Sequence, residues 1–352
     1  MTTKLFYTLI LSVAPFLLFA QDKETATQLT NEGIELHDAG KYDEAIAKYR
    51  QALIADADNK TALYEMSYTF MSMEKYDSCI AYCQRIMTLN PSDDLLKNIY
   101  VNLGSSYDYL KQSDKAIKIY NDGIKKFKDF YLLYFNRGIT YYLSLNEPEK
   151  AEADFQAAIM LKPSHASSHY WLYKILKDQN KIPSVLAASM VSILESQSKR
   201  SAETAEHVAK EILPEIKKDS SNNTNITIFL PAGSLSGKKN QNDFSFVDLA
   251  VSLFQTGTLD DSLKLDTENK KFAFNFQMLC GFLEDHRKYK GFYWKYYAPF
   301  FYELKDAGYS EVVSNLILDD TDNADASAWL KNHQAEVKNF SEWFKNFLWR
   351  ND

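Results

Sequence analysis

Asp38-Ala-Gly-Lys-Tyr-Asp-Glu-Ala-Ile-Ala-Lys-Tyr-Arg-Gln-Ala-Leu53 is the stretch that decides the fold. One helical run ends where it begins, a short turn carries Gly40, and a second helical run follows. Gly33, Leu36, Gly40, Tyr42, Ala45, Tyr49 and Ala52 stand at offsets that return further along the chain. Gly33, Ser67, Gly104 and Gly138 recur at steps of 34, 37 and 34 residues. A period in that range marks a stacked array of supersecondary units.

The copies can be followed outward. Ala26 to Asn59 is the clearest. Lys60 to Asp93 keeps Leu63, Tyr76 and Pro91 but has Ser67 at the glycine position. Lys97 to Phe130 keeps Leu103, Gly104, Tyr107, Ala116 and Tyr120, with Gly123 where alanine is expected. Tyr131 to His165 keeps Gly138, Tyr141, Ala151, Phe155, Ala158 and Pro163, with one residue inserted near Asn146-Glu147-Pro148. Ala166 to about Gln197 is degenerate, and Tyr173 replaces its glycine. Small residues (Gly33, Gly104, Gly138; Ala45, Ala116, Ala151) let two antiparallel helices approach. Large ones (Tyr42, Tyr49, Tyr107, Phe155) fill the space beside them. No single hairpin buries its apolar face alone, so neighbours must stack.

These residues resemble the tetratricopeptide repeat family, over roughly half of the chain. The resemblance implies an all-α solenoid of helical hairpins, with a concave face lined by the first helix of each pair. It also implies a protein partner, bound as an extended segment or helix in that groove. On the family's offsets the groove would be built from Tyr64, Tyr68, Met71, Tyr109, Phe135, Ile139 and Tyr142. His37, Asp38, Asp108 and Leu143 fall on the same offsets. Thr30 and Ile34 stand where a Lys/Asn clamp for a C-terminal carboxylate would be, so that mode of binding is not expected.

The expected organisation is a signal peptide at 1–20, an array at 26–198, a capping helix and linker at 199–243, and a helical domain at 244–352. Met1 to Ala20 has Lys4 in its positive region and an apolar run, Leu5 to Ala20, that is short for a membrane span. Cleavage would leave Gln21 at the terminus of an exported chain, periplasmic or at the cell surface, with no span left. The style resembles an exported protein of the Bacteroidetes. Ile226 to Leu230 reads as the one strand-like run. Helices are expected at about 245–256, 268–287, 290–306, 309–319 and 326–347. The last 112 residues hold 23 aromatics, densest at Gly291 to Tyr302, and Asp306-Ala-Gly-Tyr-Ser echoes the first turn. Those rings read either as core or as a platform for envelope glycan or peptidoglycan, the alternative to a protein-binding scaffold.

The net charge of -7 argues against nucleic acid as partner, because a nucleic-acid binder needs a basic face. Three cysteines cannot form a disulfide framework. Cys79 and Cys83 lie i, i+4 on one helix and read as packing. His165 and His169 share that spacing but lack a third ligand. Gly233-Ser-Leu-Ser-Gly-Lys-Lys239 is one residue short of a phosphate loop and has Lys239 where a hydroxyl is needed. Asn222 and Asn225 head N-glycosylation sequons. No acid pair or nucleophile stands out, so no enzyme activity, cofactor or metal is expected.

Overall fold

The protein is described by a computed structural model, which covers residues 22–213, 217–218, 224–225, 241–257, 263–284, 289–347 and 349. The expected signal peptide, the strand at 226–230 and the loop at 233–239 lie outside the described residues. The chain divides into two compact units, 1–154 and 155–352.

In the first unit helix α1 (22–38) is followed by α2 (Tyr42–Ala55), α3 (Lys60–Ser72), α4 (Tyr76–Thr88), α5 (Asp93–Tyr109), α6 (Ser113–Lys126) and α7 (Tyr131–Ile139). Helix α8 (Pro148–Leu161) begins in this unit and runs into the second. Each helix from α2 to α6 packs on the next in sequence, as a stacked array requires. The hairpin turns repeat bond for bond. Gly40 N–H donates to His37 O and Lys41 N–H to Leu36 O, both at 2.8 Å. Glu74 and Lys75 repeat these bonds to Met71 and Phe70, and Lys111 and Gln112 repeat them to Asp108 and Tyr107. This is the Schellman closure, in which the left-handed residue bonds the second-from-last helical carbonyl and the residue after it bonds the third-from-last. Gly40 takes φ 73° without strain, while Glu74, Lys111 and Asn146 take the same region at its steric cost.

Two glycines are fixed by close approach. A Cβ on Gly104 would stand 2.5 Å from Cε1 of Tyr120, and one on Gly33 would overlap the Tyr49 ring. Both tyrosines are buried. Ala45, Ala116 and Ala151 are fully buried as the spacing predicts.

The inserted residue of the fourth copy is not absorbed in the Asn146-Glu147-Pro148 turn. It is taken up one turn earlier, as a π turn at Thr140–Ser144 that continues α7. Leu145 N–H donates to Thr140 O at 3.1 Å, five residues back, and Glu147 N–H to Tyr141 O at 2.8 Å, six back. Widening the helix by one residue keeps Asn146 in the left-handed turn position. The Asp108 carboxylate holds both ends of the widened turn, accepting from Thr140 Oγ1 at 3.0 Å and Ser144 Oγ at 3.1 Å.

In the second unit α9 (Ala166–Leu176), α10 (Lys181–Leu194) and α11 (Lys199–Ile212) pack in order. Helix α10 is buried from Ile182 to Ser192, so it is a central helix rather than an amphipathic one. After α11 a two-residue antiparallel pair, β1 (Lys217–Lys218) and β2 (Thr224–Asn225), spans the expected linker. Helices α12 (Ser245–Gly257), α13 (Glu268–Glu284), α14 (Phe292–Lys295), α15 (Tyr297–Asp306), α16 (Ser310–Asp319), α17 (Ala324–Asn332) and α18 (Gln334–Asn346) follow. The helix expected at 290–306 is broken at Tyr296, and the one expected at 326–347 is broken at His333. The turn between α15 and α16 repeats the first one. Gly308 has φ 81°, its N–H donates to Lys305 O, and Tyr309 N–H donates to Leu304 O. The echo read in the sequence is thus an echo in backbone geometry.

Candidate functional site

The first helices of the hairpins, α1, α3, α5 and α7, carry every residue assigned to the groove. Tyr64, Tyr68 and Met71 fall at i, i+4 and i+7 and so share one face of α3. Phe135, Ile139 and Tyr142 repeat that spacing on α7 and its π turn. Tyr109 is the last residue of α5. Tyr68 is 40% exposed, Tyr109 60% and Leu143 59%. Tyr64, Met71, Phe135, Ile139 and Tyr142 are half-buried, and Tyr64 and Met71 lean on the core of the second hairpin.

The exposed rings are stacked, not loose. Tyr109 lies on Tyr76 with centroids 4.8 Å apart, and Tyr68 lies on His37 at 5.1 Å. His37 is itself fixed by Nδ1 against Thr69 Oγ1 at 2.8 Å. Offset stacking of this kind holds a ring in place at a cost in area that a partner can still cover. Burial pushes the Tyr64 phenol up to about 12, so its hydroxyl keeps its proton.

Three polar groups in this corner were not singled out by the sequence reading. Glu65 is half-buried beside Tyr64, Asn102 is 4% exposed with no acceptor for Nδ2, and the Tyr49 hydroxyl is buried without a hydrogen bond. A signal was present: Asn31, Glu65, Asn102 and Asn136 all stand two residues before the small-residue position of their repeats. At the far end Arg137 forks onto Asp154, with Nε to Oδ2 at 2.8 Å and Nη2 to Oδ1 at 2.6 Å. Burial raises the Asp154 carboxyl, and the guanidinium opposes that rise.

The dense aromatic run does not form a platform. Tyr293, Trp294, Tyr296, Tyr297, Phe300, Phe301 and Tyr302 are all buried, which corrects the glycan-platform reading of those rings. Their hydroxyls are satisfied inside the second unit. Tyr296 OH donates to Ile159 O at 3.2 Å, Gln156 Nε2 donates to Tyr293 OH at 3.3 Å, and Tyr297 OH meets His169 Nδ1 at 2.7 Å. His169 Nε2 faces Pro163 O at 2.8 Å, so Nε2 carries the proton and Nδ1 accepts from Tyr297. Trp349 closes the cluster, stacked on Phe300 and Tyr296 at 5.0 and 4.8 Å.

The histidine and cysteine pairs singled out by their spacing stand in buried or half-buried places. Burial holds the His165 and His169 imidazoles neutral, down to about 4. Cys79 and Cys83 are free and buried with their sulfurs 3.9 Å apart, and Cys280 is buried too. Among the described residues no group of three His, Cys, Asp or Glu side chains is placed to hold a metal ion. No helix among them is long and apolar enough to cross a membrane.

Comparison with known proteins agrees with this geometry. Tetratricopeptide repeat models match residues 36–103 and, separately, 98–125 and 131–165. The first half of the chain therefore carries tetratricopeptide repeats, and proteins built from them are generally interaction scaffolds. The chain is similar to anaphase-promoting complex subunit 3 of Schizosaccharomyces pombe, 23% identical over 43% of this chain and 22% of that protein. It is also similar to the cell division cycle protein 27 homolog A of Arabidopsis thaliana, 28% identical over 24% of this chain and 11% of that one. It thus spans about a fifth and a tenth of those relatives' length. Among solved structures, a thermophilic TPR protein of Thermus thermophilus matches 52% of this chain and 98% of its own, at 18% identity and TM-score 0.44. The pilF protein of Pseudomonas aeruginosa matches 54% and 85%, at 15% identity and TM-score 0.47.

Proposed function

We propose that the chain is an exported, non-enzymatic scaffold that binds a segment of a protein partner along α1, α3, α5 and α7. One observation carries the reading: stacked, partly exposed rings sit on those helices at the offsets this repeat uses for partners, with Tyr68 40% and Tyr109 60% exposed. Covering them removes apolar area from water at about 25 cal/mol per Å², before association costs are subtracted. Tyr64, Met71, Phe135, Ile139 and Tyr142 extend the same surface. Export rests on Lys4 and the apolar run to Ala20.

The test is affinity capture from native envelope extract with the chain from Gln21 as bait, beside a Tyr68→Ala/Tyr109→Ala variant. A protein held by the wild type and lost by the variant, with unchanged melting, supports the groove. Equal retention by both moves the binding surface elsewhere. Export is checked separately, by N-terminal sequencing of the native protein. A start at Gln21 in the envelope or medium is expected, and an intact Met1 in the cytoplasm sinks it.

A further inference from the structure

Where the end of α1 meets the middle of α3, the groove carries two carboxylates that no ion pair among the described residues balances. Asp38 is exposed at the end of α1, and Glu65 is half-buried on α3. Among the described residues no hydrogen bond or ion pair reaches either carboxylate. The stretches 30–38, 61–72 and 98–109, which supply this part of the surface, contain no Lys or Arg. A half-buried carboxylate without a counter-charge is held at a cost, and burial with Asp38 beside it raises the Glu65 carboxyl above its ordinary value. A cation delivered to this place would reverse that shift.

Two further observations mark a place for a ligand rather than a bare acidic surface. Tyr49 is fully buried, its hydroxyl has no hydrogen bond, and Glu65 and Asp38 are the charges it feels. Thr69, which shares the corner, has its hydroxyl engaged with His37. The wall is aromatic: Tyr68, stacked on His37 with an interplanar angle of 30°, keeps its outer face open.

Resting on the groove reading above, we propose that this corner receives an arginine side chain of the partner segment, its guanidinium between Asp38 and Glu65 and its plane on Tyr68. Arginine fits better than lysine because a planar, forked cation can stack on a ring while donating to two carboxylates. A neutral apolar side chain would cover Tyr68 but leave Glu65 unpaired in a drier environment.

The experiment uses the full chain and two immobilised pools of capped nonapeptides. In both pools the flanking positions are random among uncharged residues. The central residue is arginine in one and citrulline, its neutral isostere, in the other. Wild-type protein is expected to bind the arginine pool about tenfold more than the citrulline pool, the size of a partly desolvated cation–aromatic and ion-pair contact. Glu65→Gln should bring that ratio close to one. Asp38→Asn, at an exposed site, carries the same test should Glu65→Gln fail to fold. A central lysine should fall between the two pools. Equal binding of both pools by the wild type, lost in Tyr68→Ala/Tyr109→Ala, would overturn the arginine assignment and leave the groove standing. Absence of binding to either pool would overturn both. An arginine preference that survives Glu65→Gln and Asp38→Asn would place the cation elsewhere and overturn the assignment.

Discussion

Tyr109 and Phe300 are both rings on helices that lead into hairpin turns, yet Tyr109 is 60% exposed and Phe300 is fully buried. The difference follows from what surrounds each in sequence. On α3 and α5 the core-facing stripe is already filled by Leu63, Met66, Ile99 and Leu103, all buried, so Tyr68 and Tyr109 are left on another face. Around Phe300 the rings come seven within ten residues, 293 to 302, on every side of α14 and α15. No helix can turn all its sides to water with such a surface, so neighbours must cover it. Periodic rings can thus be surplus to the core, whereas dense rings become the core.

The largest test of that contrast is truncation. Phe300 touches Phe301, Trp343, Phe344, Phe347 and Trp349 at centroid distances of 5.0 to 5.7 Å. Phe300→Ala should cost about 3–5 kcal/mol, as large-to-small changes in packed cores do. Tyr109→Ala should cost less than about 1 kcal/mol, losing little beyond the stack on Tyr76. Denaturant melts of the two variants check this, and comparable losses would break the contrast between the two regions.

Burying so many rings also brought ionisable groups inside the second unit. Burial pushes the Asp248 carboxyl up to about 7, opposed by Lys181 and helped by Glu211 and Asp243. Its contribution to stability is full below the ordinary value of 3.8 and is lost as pH rises through 7. His169 runs the other way: its contribution is full above 6.5 and is lost as pH falls through 4. Each acts at up to about 1.4 kcal/mol per pH unit. Between pH 4 and 6.5 the two oppose, and above 6.5 Asp248 acts alone. Asp248→Asn should therefore remove a fall in stability that runs from about pH 4 and ends as pH passes 7, seen without opposition from His169 only above pH 6.5. It should also steepen the acid-side loss that the carboxyl partly masks. Melting curves of wild type and variant that stay parallel from pH 4 to 8 would contradict the assignment.

Much of the array was legible because its signals are local. A left-handed residue, a small residue and a ring at fixed offsets specify each hairpin without knowledge of its neighbours. Gly104 under Tyr120 is such a pair. The breaks at Tyr296 and His333 were overlooked although each has a local signal: Pro299 cannot donate to the carbonyl of Lys295, and Asn332-His333 are weak helix formers. Glu65, Asn102 and the Tyr49 hydroxyl were overlooked for a different reason. A half-buried polar residue looks like any other helical polar residue until its missing partner is seen. Of the two readings of residues 291–302 the core one holds, because a run of rings this dense must be covered.

The smallest effect concerns the inserted residue, where sequence and structure disagreed about place. The spacing put it in the Asn146-Glu147-Pro148 turn, but the backbone accommodates it within Thr140–Ser144. The turns of the first three copies share one pair of hydrogen bonds, and the fourth keeps its left-handed residue at Asn146 while its closing bond, from Glu147 N–H to Tyr141 O, spans one residue more. The helix before it can widen by one residue for the loss of a single regular bond. Deleting Leu143, which is 59% exposed, should therefore let an α-helical turn form and keep the hairpin, with stability changed by no more than about 1 kcal/mol. Thr140 and Ser144 would no longer both reach Asp108, so the expected change is a small loss rather than a gain. A collapse of the melting transition on this deletion would show instead that the widened turn is needed to seat α8. A gain in stability would show that the turn is kept at a cost, for the side chains it presents on the groove.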